Sequence, residues 1–294
     1  MKKIGFLLFL SMFSAGLYGQ TLLEYNLNEG DIFTVKQHAQ QIIVQELDGA
    51  SHEITNNIAG VIEFKVVGTL EDTYEIELRF KDLNLHMASS IQGVLMDVKA
   101  KDVAEGDMQG KIFNSLLDIP VQIILAKNGD IISAAGGDSL VNKMTDAAGL
   151  DDEFSKNMMK KSLEKEFGSE ALSNSYKQMT FIYPTNKISI GDSWENEYTG
   201  KLTSKNTWTL DTITSKNATI RGESAVVMDV KEPATTMKLS GTQDTKITTD
   251  ISSGFVLEME VVGFSEGIST ITQLGDQEIP TTIKSTTTYE LIKE

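Results

Sequence analysis

Apolar and polar residues alternate one for one through long stretches of this chain. Tyr74, Ile76, Leu78 and Phe80 are separated by Glu75, Glu77 and Arg79, and Lys81 follows. A side-chain period of two sends successive residues to opposite faces, so this run predicts a strand with one face in a core and one in water. The same alternation marks Phe33 and Val35 against Thr34 and Lys36, and Ile62, Phe64 and Val66 against Glu63 and Lys65. Near the end, Phe255, Leu257, Met259 and Val261 alternate with Glu258 and Glu260. Ile283, Thr287, Tyr289 and Leu291 share one parity opposite Lys284, Thr288 and Glu290.

Between residues 138 and 179 the period becomes helical. Leu140, Val141, Met144 and Ala148 recur at spacings of one, three and four, and predict a first helix. Phe154, Met158, Met159, Leu163 and Phe167 form a second apolar stripe, with Asp151 and Asp152 at its start and Gly168 placed to stop it. Ser169 is suited to cap a third helix carrying Leu172, Tyr176 and Met179, and Pro184 bars its continuation. Gly136-Gly137-Asp138-Ser139 at the first helix start fits simple capping by Asp138, with an anion-binding turn as the alternative.

Turn residues punctuate the extended runs. The clearest hairpin is Ile123 to Ala126, then Lys127-Asn128-Gly129-Asp130, then Ile131-Ile132, because Asn-Gly adopts positive φ at low cost. Residues 199–294 hold 20 Thr against 8 in the first 198, and Thr stiffens strands. Two segments echo one another: Asn28-Glu29-Gly30-Asp31-Ile32-Phe33 and Ser189-Ile190-Gly191-Asp192-Ser193-Trp194. Each is a Gly-Asp turn with an aromatic residue two positions on, which fits either duplicated architecture or a common turn used twice. The fold class these patterns predict is a β-rich α+β domain over 20–294. Residues 22–136 and 185–292 form one large, half-barrel-like curved antiparallel sheet, and the 138–179 helices pack on its inner face.

The succession of a Gly-Asp-x-aromatic strand, a Tyr-Glu-Ile-Glu-Leu strand, the Asn-Gly-Asp hairpin and Gly136-Gly137-Asp138 continues into an amphipathic helix. Tyr183-Pro184 and Ile190-Gly191-Asp192-Ser193-Trp194 follow. In this order the chain resembles an uncharacterised family of secreted β-rich proteins from the Bacteroidetes group. The resemblance spans nearly the whole chain after its N-terminus, rests on turn and packing signatures, and implies architecture without catalytic residues. A more distant likeness, at fold level only, is to bacterial envelope lipoprotein carriers, in which a curved sheet wraps helices around an apolar cavity.

Composition narrows the function. The chain has 294 residues, 26 Lys plus Arg, 42 Asp plus Glu, and no Cys. The net charge of −16 disfavours nucleic-acid partners. The lack of Cys excludes disulfide scaffolds, thiolate zinc sites, iron–sulfur clusters and thiol nucleophiles. Lys2 and Lys3 precede an apolar run from Ile4 to Phe13, and Ser14-Ala15-Gly16 then lead through Leu17 and Tyr18 to Gly19, the pattern of a signal peptide cleaved after residue 19. Its removal takes away two Lys and no acid, so −16 becomes −18. The expected location is therefore periplasmic or secreted. No lipid anchor is expected, for want of a Cys after the run, and no transmembrane segment is expected in the mature chain.

Motifs for chemistry are sparse. His38, His52 and His86 show no metal-ligand spacing, and there is no Gly-x-Ser-x-Gly elbow, phosphate loop or EF-hand ladder. No cofactor and no enzymatic activity are expected. Trp194 and Trp208 read as core, with sugar stacking as the alternative. What remains is a Met-bearing helical stripe opposite a long sheet. It points to a lipid or other apolar ligand held among Leu78, Phe80, Met144, Phe154, Met158, Met159, Leu163, Phe167 and Leu257. The rival expectation is an envelope scaffold that binds other proteins. A packed core and a lined cavity share this sequence pattern.

Overall fold

The computed structural model describes residues 19–292 except 201, 233, 234, 273, 274 and 276. The expected signal segment therefore lies outside the described residues, apart from Gly19. In chain order the described elements are β1 (Ile32–Leu47), β2 (Ala50–Thr69), β3 (Thr73–Ser89), β4 (Gly93–Lys99), α1 (Met108–Asn114), β5 (Val121–Ala126), β6 (Ile131–Ala135), α2 (Gly137–Ala147), α3 (Glu153–Phe167), α4 (Ser169–Thr180), β7 (Ser193–Tyr198), β8 (Leu202–Ile213), β9 (Asn217–Glu232), β10 (Thr235–Asp250), β11 (Val256–Ile271) and β12 (Gln277–Leu291).

All twelve strands join one antiparallel sheet in the order β6-β5-β3-β2-β1-β12-β11-β10-β9-β8-β7, with β4 paired to β3. The β1–β12 pairing, from Val35 opposite Leu291 to Gln45 opposite Thr281, joins the N-terminal strands to the C-terminal ones. The sheet does not close, and β6 and β7 are its edges. Helices α2–α4 connect those two edges, and α4 touches β6, β7 and β11, so it spans the inside of the curve. A sheet this wide must curl, and α4 fills the hollow.

Pairing fixes the faces. Val35 opposes Ile62 and Phe33 opposes Phe64, and Val35, Ile62 and Phe64 are buried. Met259 opposes Ile247 and Tyr289, and Ile247 opposes Ile220, all buried. These positions meet α4 through Leu172, Tyr176 and Met179, also buried. Phe255 stacks on Phe33 at 4.0 Å between centroids and meets Phe64 and Tyr25 edge-on.

The two echoed turns are the same structure. Gly30 and Gly191 have φ of +94° and +91°. Asp31 and Asp192 each accept through a carboxylate from the backbone N–H three residues back, at 2.8 Å. Gly30 N–H donates to Val66 and Gly191 N–H to Leu210, tying each turn to the next long strand.

Helix ends differ from the expectation. Gly136, at φ +98°, is the N-cap of α2, and Asp138 sits in the first turn without capping it. Gly168 is the N-cap of α4, and the Ser169 hydroxyl instead accepts from Gly137 N–H at 3.0 Å, locking α2 to α4. Asp152 does cap α3, accepting from Ser155 N–H at 2.7 Å. Helix α1, capped by Asp107, was not anticipated. No helix among the described residues is long and apolar enough to cross a membrane.

Candidate functional site

An apolar pocket of about 520 Å³ opens between the sheet and the helices, within the ~300–1,000 Å³ usual for small-ligand sites. Its sheet wall comes from β2, β3 and β4, through Ile58, Leu85, Met87 and Met96. Met87 and Met96 lie opposite each other in the β3–β4 ladder, and Leu85 opposes Ile58 across β2–β3, so strand register builds this wall. The facing wall is helical: Ile112 and Phe113 of α1 with Met159, Leu163 and Phe167 of α3. Polar groups at the margin are Asn56, Asn57, His86, Gln109, Ser162 and Glu166. His86 Nδ1 lies 3.6 Å from Asp97 Oδ1.

Helix α3 is lightly held. None of its residues is buried, and it packs chiefly on α2 and α4. Its anchor to the sheet is Phe167, edge-on to both Phe80 and Phe113 with centroids 6.3 and 6.0 Å away. Phe80 in turn touches Tyr176 of α4, whose ring meets Phe64. The Lys165 ammonium pairs with Glu232 of β9.

The nine candidate residues divide by position. Met159, Leu163 and Phe167 line the pocket. Phe80 is buried behind Phe167 and supports it. Leu78 and Met144 are fully buried core, outside the pocket wall. Phe154 and Met158 are 71% and 59% exposed, because the turn between Met158 and Met159 carries only the latter to the inner side of α3. Leu257 is off the inner face: the ladder shifts at Thr248/Thr249, where Val256 pairs with Thr249 and Glu258 with Thr248. Leu257 is the extra residue of this bulge, and it borders a separate depression with Lys36, Glu258 and Glu290. The pocket residues missed from sequence are those of β4 and α1, whose runs are too short for a period to emerge, and the inward members of β2 and late β3. Alternation of Leu83, Leu85 and Met87 with polar residues was the available signal for the latter.

A part-buried polar cluster lies at the C-terminal end of α4. Asn196 Oδ1 accepts from Trp208 Nε1 at 3.0 Å and from Asn206 Nδ2 at 2.8 Å, while its Nδ2 donates to Phe181 O at 2.7 Å. Trp208 is thus core, whereas Trp194 is partly buried, packs against the core and donates to Ile182 O at 3.1 Å. Burial pushes the Tyr176 and Tyr289 hydroxyls well above the ordinary phenol range. Among the described residues no three His, Asp or Glu side chains converge to hold a metal ion.

An open, curled antiparallel sheet with helices across its hollow is the class of architecture these elements define. The chain belongs to the family of unknown function DUF6263, whose model matches residues 71–256. No curated protein matches it in sequence. Among solved structures it is similar to one described as lipid–protein interactions in lipovitellin, at TM-score 0.49 and 12% identity over 91% of this chain. The chain spans only 26% of that lipovitellin chain. It is also similar to an outer membrane channel from Pseudomonas putida F1, at TM-score 0.26 and 7% identity over 91% of this chain and 97% of the other. A third is DynF of the dynemicin biosynthesis pathway of Micromonospora chersina, at TM-score 0.26 and 6% identity over 94% and 87%.

Proposed function

We propose that this protein is an exported, non-enzymatic binder that holds a lipid or other apolar ligand between its sheet and its helices. The observation that carries this reading is the pocket faced by Leu85, Met87 and Met96 on one side and Phe113, Met159, Leu163 and Phe167 on the other. Three Met among its lining residues suit a ligand of variable shape, because the thioether side chain repacks at small cost. The lightly held α3 supplies an entry route without opening the core. Export rests on the N-terminal pattern of basic residues, apolar run and small residues.

Native mass spectrometry of the protein purified from the cells that make it, followed by solvent extraction, tests the proposal. A discrete bound mass released by organic solvent is expected. A bare polypeptide mass, together with no uptake of added fatty acid, would overturn it.

A second reading, an envelope module that binds another protein, is favoured by one feature of the outer face. Val262 and Phe264 of β11 are 47% and 42% exposed and, with Ile42, border a shallow depression. Crosslinking in cells with a photoreactive group at Phe264 tests it: a single recurrent adduct would support this role, and none would remove it.

A further inference from the structure

The inner face of the sheet carries a row of uncharged polar residues that starts at the apolar pocket. Strand register places Asn56 of β2 opposite Gln41 of β1, Gln41 opposite Ser285 of β12, Ser285 opposite Gly263 of β11, and Gly263 opposite Gln243 of β10. Asn56 both lines the pocket and donates to Gln41 Oε1 at 3.4 Å, so pocket and row are continuous. From Asn56 to Gln243 is four strand spacings, about 19 Å at ~4.8 Å each.

The far end of the row is closed on itself, since Ser224 beside Gln243 donates to Asn206, which is tied to Asn196. The middle is not. Gln243 and Ser285 are half-buried, and neither side chain makes a hydrogen bond among the described residues. Gly263 lies between them without a side chain. A Cβ there would stand 2.6 Å from Ser285 Oγ and 3.1 Å from Gln243 Cγ, so both side chains lean over this gap. Further along β12, Tyr289 is 5% exposed, and its hydroxyl likewise makes no hydrogen bond among the described residues. None of these atoms is both sealed from solvent and unpartnered, so each stays open to donate to or accept from a bound polar group.

Among the described residues charge is absent from the middle of this face, and the inward Glu232 at the end of β9 is neutralised by Lys165 of α3. On β1 the charged residues Lys36 and Glu46 have the opposite parity to Gln41. On β10 to β12 the same holds for Lys238, Asp244, Lys246, Glu258, Glu260, Glu266, Lys284 and Glu290. An anionic or cationic head group entering here would lose its hydration with no counter-charge to replace it. Amides and hydroxyls both donate and accept, which matches hydroxyl groups.

We propose that the row centred on Gln243, Gly263 and Ser285 is a head-group subsite for an uncharged, polyhydroxylated amphiphile of glycolipid type, its alkyl chain lying in the Met87–Leu163 pocket. This rests on the apolar-ligand reading above and names the ligand class for the same site. The test is calorimetry with three amphiphiles of equal chain length, each below its micelle concentration: decyl maltoside, decylphosphocholine and decanoate. Decyl maltoside is expected to bind at least tenfold more tightly than the other two. The Gln243→Leu/Ser285→Ala double variant is expected to bring all three within twofold while leaving decanoate affinity unchanged. Ser285→Ala alone, a one-atom change, serves if the double variant does not fold, with at least a threefold loss for the maltoside only. Equal affinities in the native protein, or a preference that survives the substitutions, would overturn the head-group assignment and leave the pocket reading standing. Failure of all three to bind would overturn both.

Discussion

The Phe167 ring at the end of α3 meets the Phe80 ring of β3 edge-on, at 6.3 Å and 75°. This contact ties the helix that forms one pocket wall to the sheet beneath it. Phe167→Ala is expected to cost about 2–4 kcal/mol, from lost burial of a half-buried ring and two edge-on aromatic pairs of about 0.5–1.5 kcal/mol each. Urea unfolding followed by circular dichroism reads this directly. Phe154→Ser and Met158→Ser, on the exposed side of the same helix, are expected to stay within about 0.5 kcal/mol of the native protein.

Gly129 separates a turn requirement from a packing requirement. Its φ is +91°, and an added Cβ would stand 1.7 Å from the Thr180 carbonyl oxygen at the end of α4. That atom is backbone and also accepts from the Tyr25 hydroxyl, so it has no freedom to move aside. Gly129→Ala is expected to prevent folding or to cost more than about 3 kcal/mol. Gly49→Ala, at φ +77° with open space around it, is expected to cost only the backbone strain of about 1–2 kcal/mol. The difference between the two midpoints of denaturation is the measurement.

Asn196 satisfies three neighbours at once. Asn196→Ala leaves the Trp208 N–H, the Asn206 amide and the Phe181 carbonyl without partners in a buried setting, at about 1–3 kcal/mol per orphaned group. Losses of that kind overlap, so a total of roughly 3–4 kcal/mol is expected, with a red shift in tryptophan emission as water reaches Trp208.

Alkaline pH is expected to unfold this protein cooperatively. Burial raises the hydroxyl pKa values of Tyr25, Tyr176, Tyr183 and Tyr289 above the phenol value near 10. The unfolded chain loses these protons first, so the stability they confer is complete below about pH 10 and falls as pH rises above it. Each contributes a slope of up to about 1.4 kcal/mol per pH unit. Urea midpoints measured from pH 8 to pH 11.5 are expected to be flat at first and then drop steeply, together with the absorbance step of phenolate formation. A gradual absorbance rise with an unchanged midpoint would contradict this.

Helices α2 and α4 were legible in the sequence because Leu140, Met144, Leu172, Tyr176 and Met179 repeat at helical spacing and a single face of each of these two helices is buried. The strands were legible wherever one face is charged and the other apolar, as from Tyr74 to Lys81. Leu257 was misplaced because a bulge changes parity without any mark in the local pattern. The β1–β12 pairing joins residues about 250 apart, which no local period encodes. The polar row on the inner face was invisible for a related reason. Gln41, Gln243 and Ser285 look like solvent-facing positions until register places them inside.

The central claim is that the space between β3–β4 and α3 takes up an apolar ligand. Fluorescence titration with cis-parinaric acid, on the native protein and on Leu163→Arg, tests it most directly. Leu163 is half-buried on the pocket wall, so arginine there is expected to leave the fold intact while placing a charge in the pocket. Saturable binding to the native protein, weakened at least tenfold in the variant, is the result this account requires. Equal binding by both proteins, or none by the native one, would contradict it.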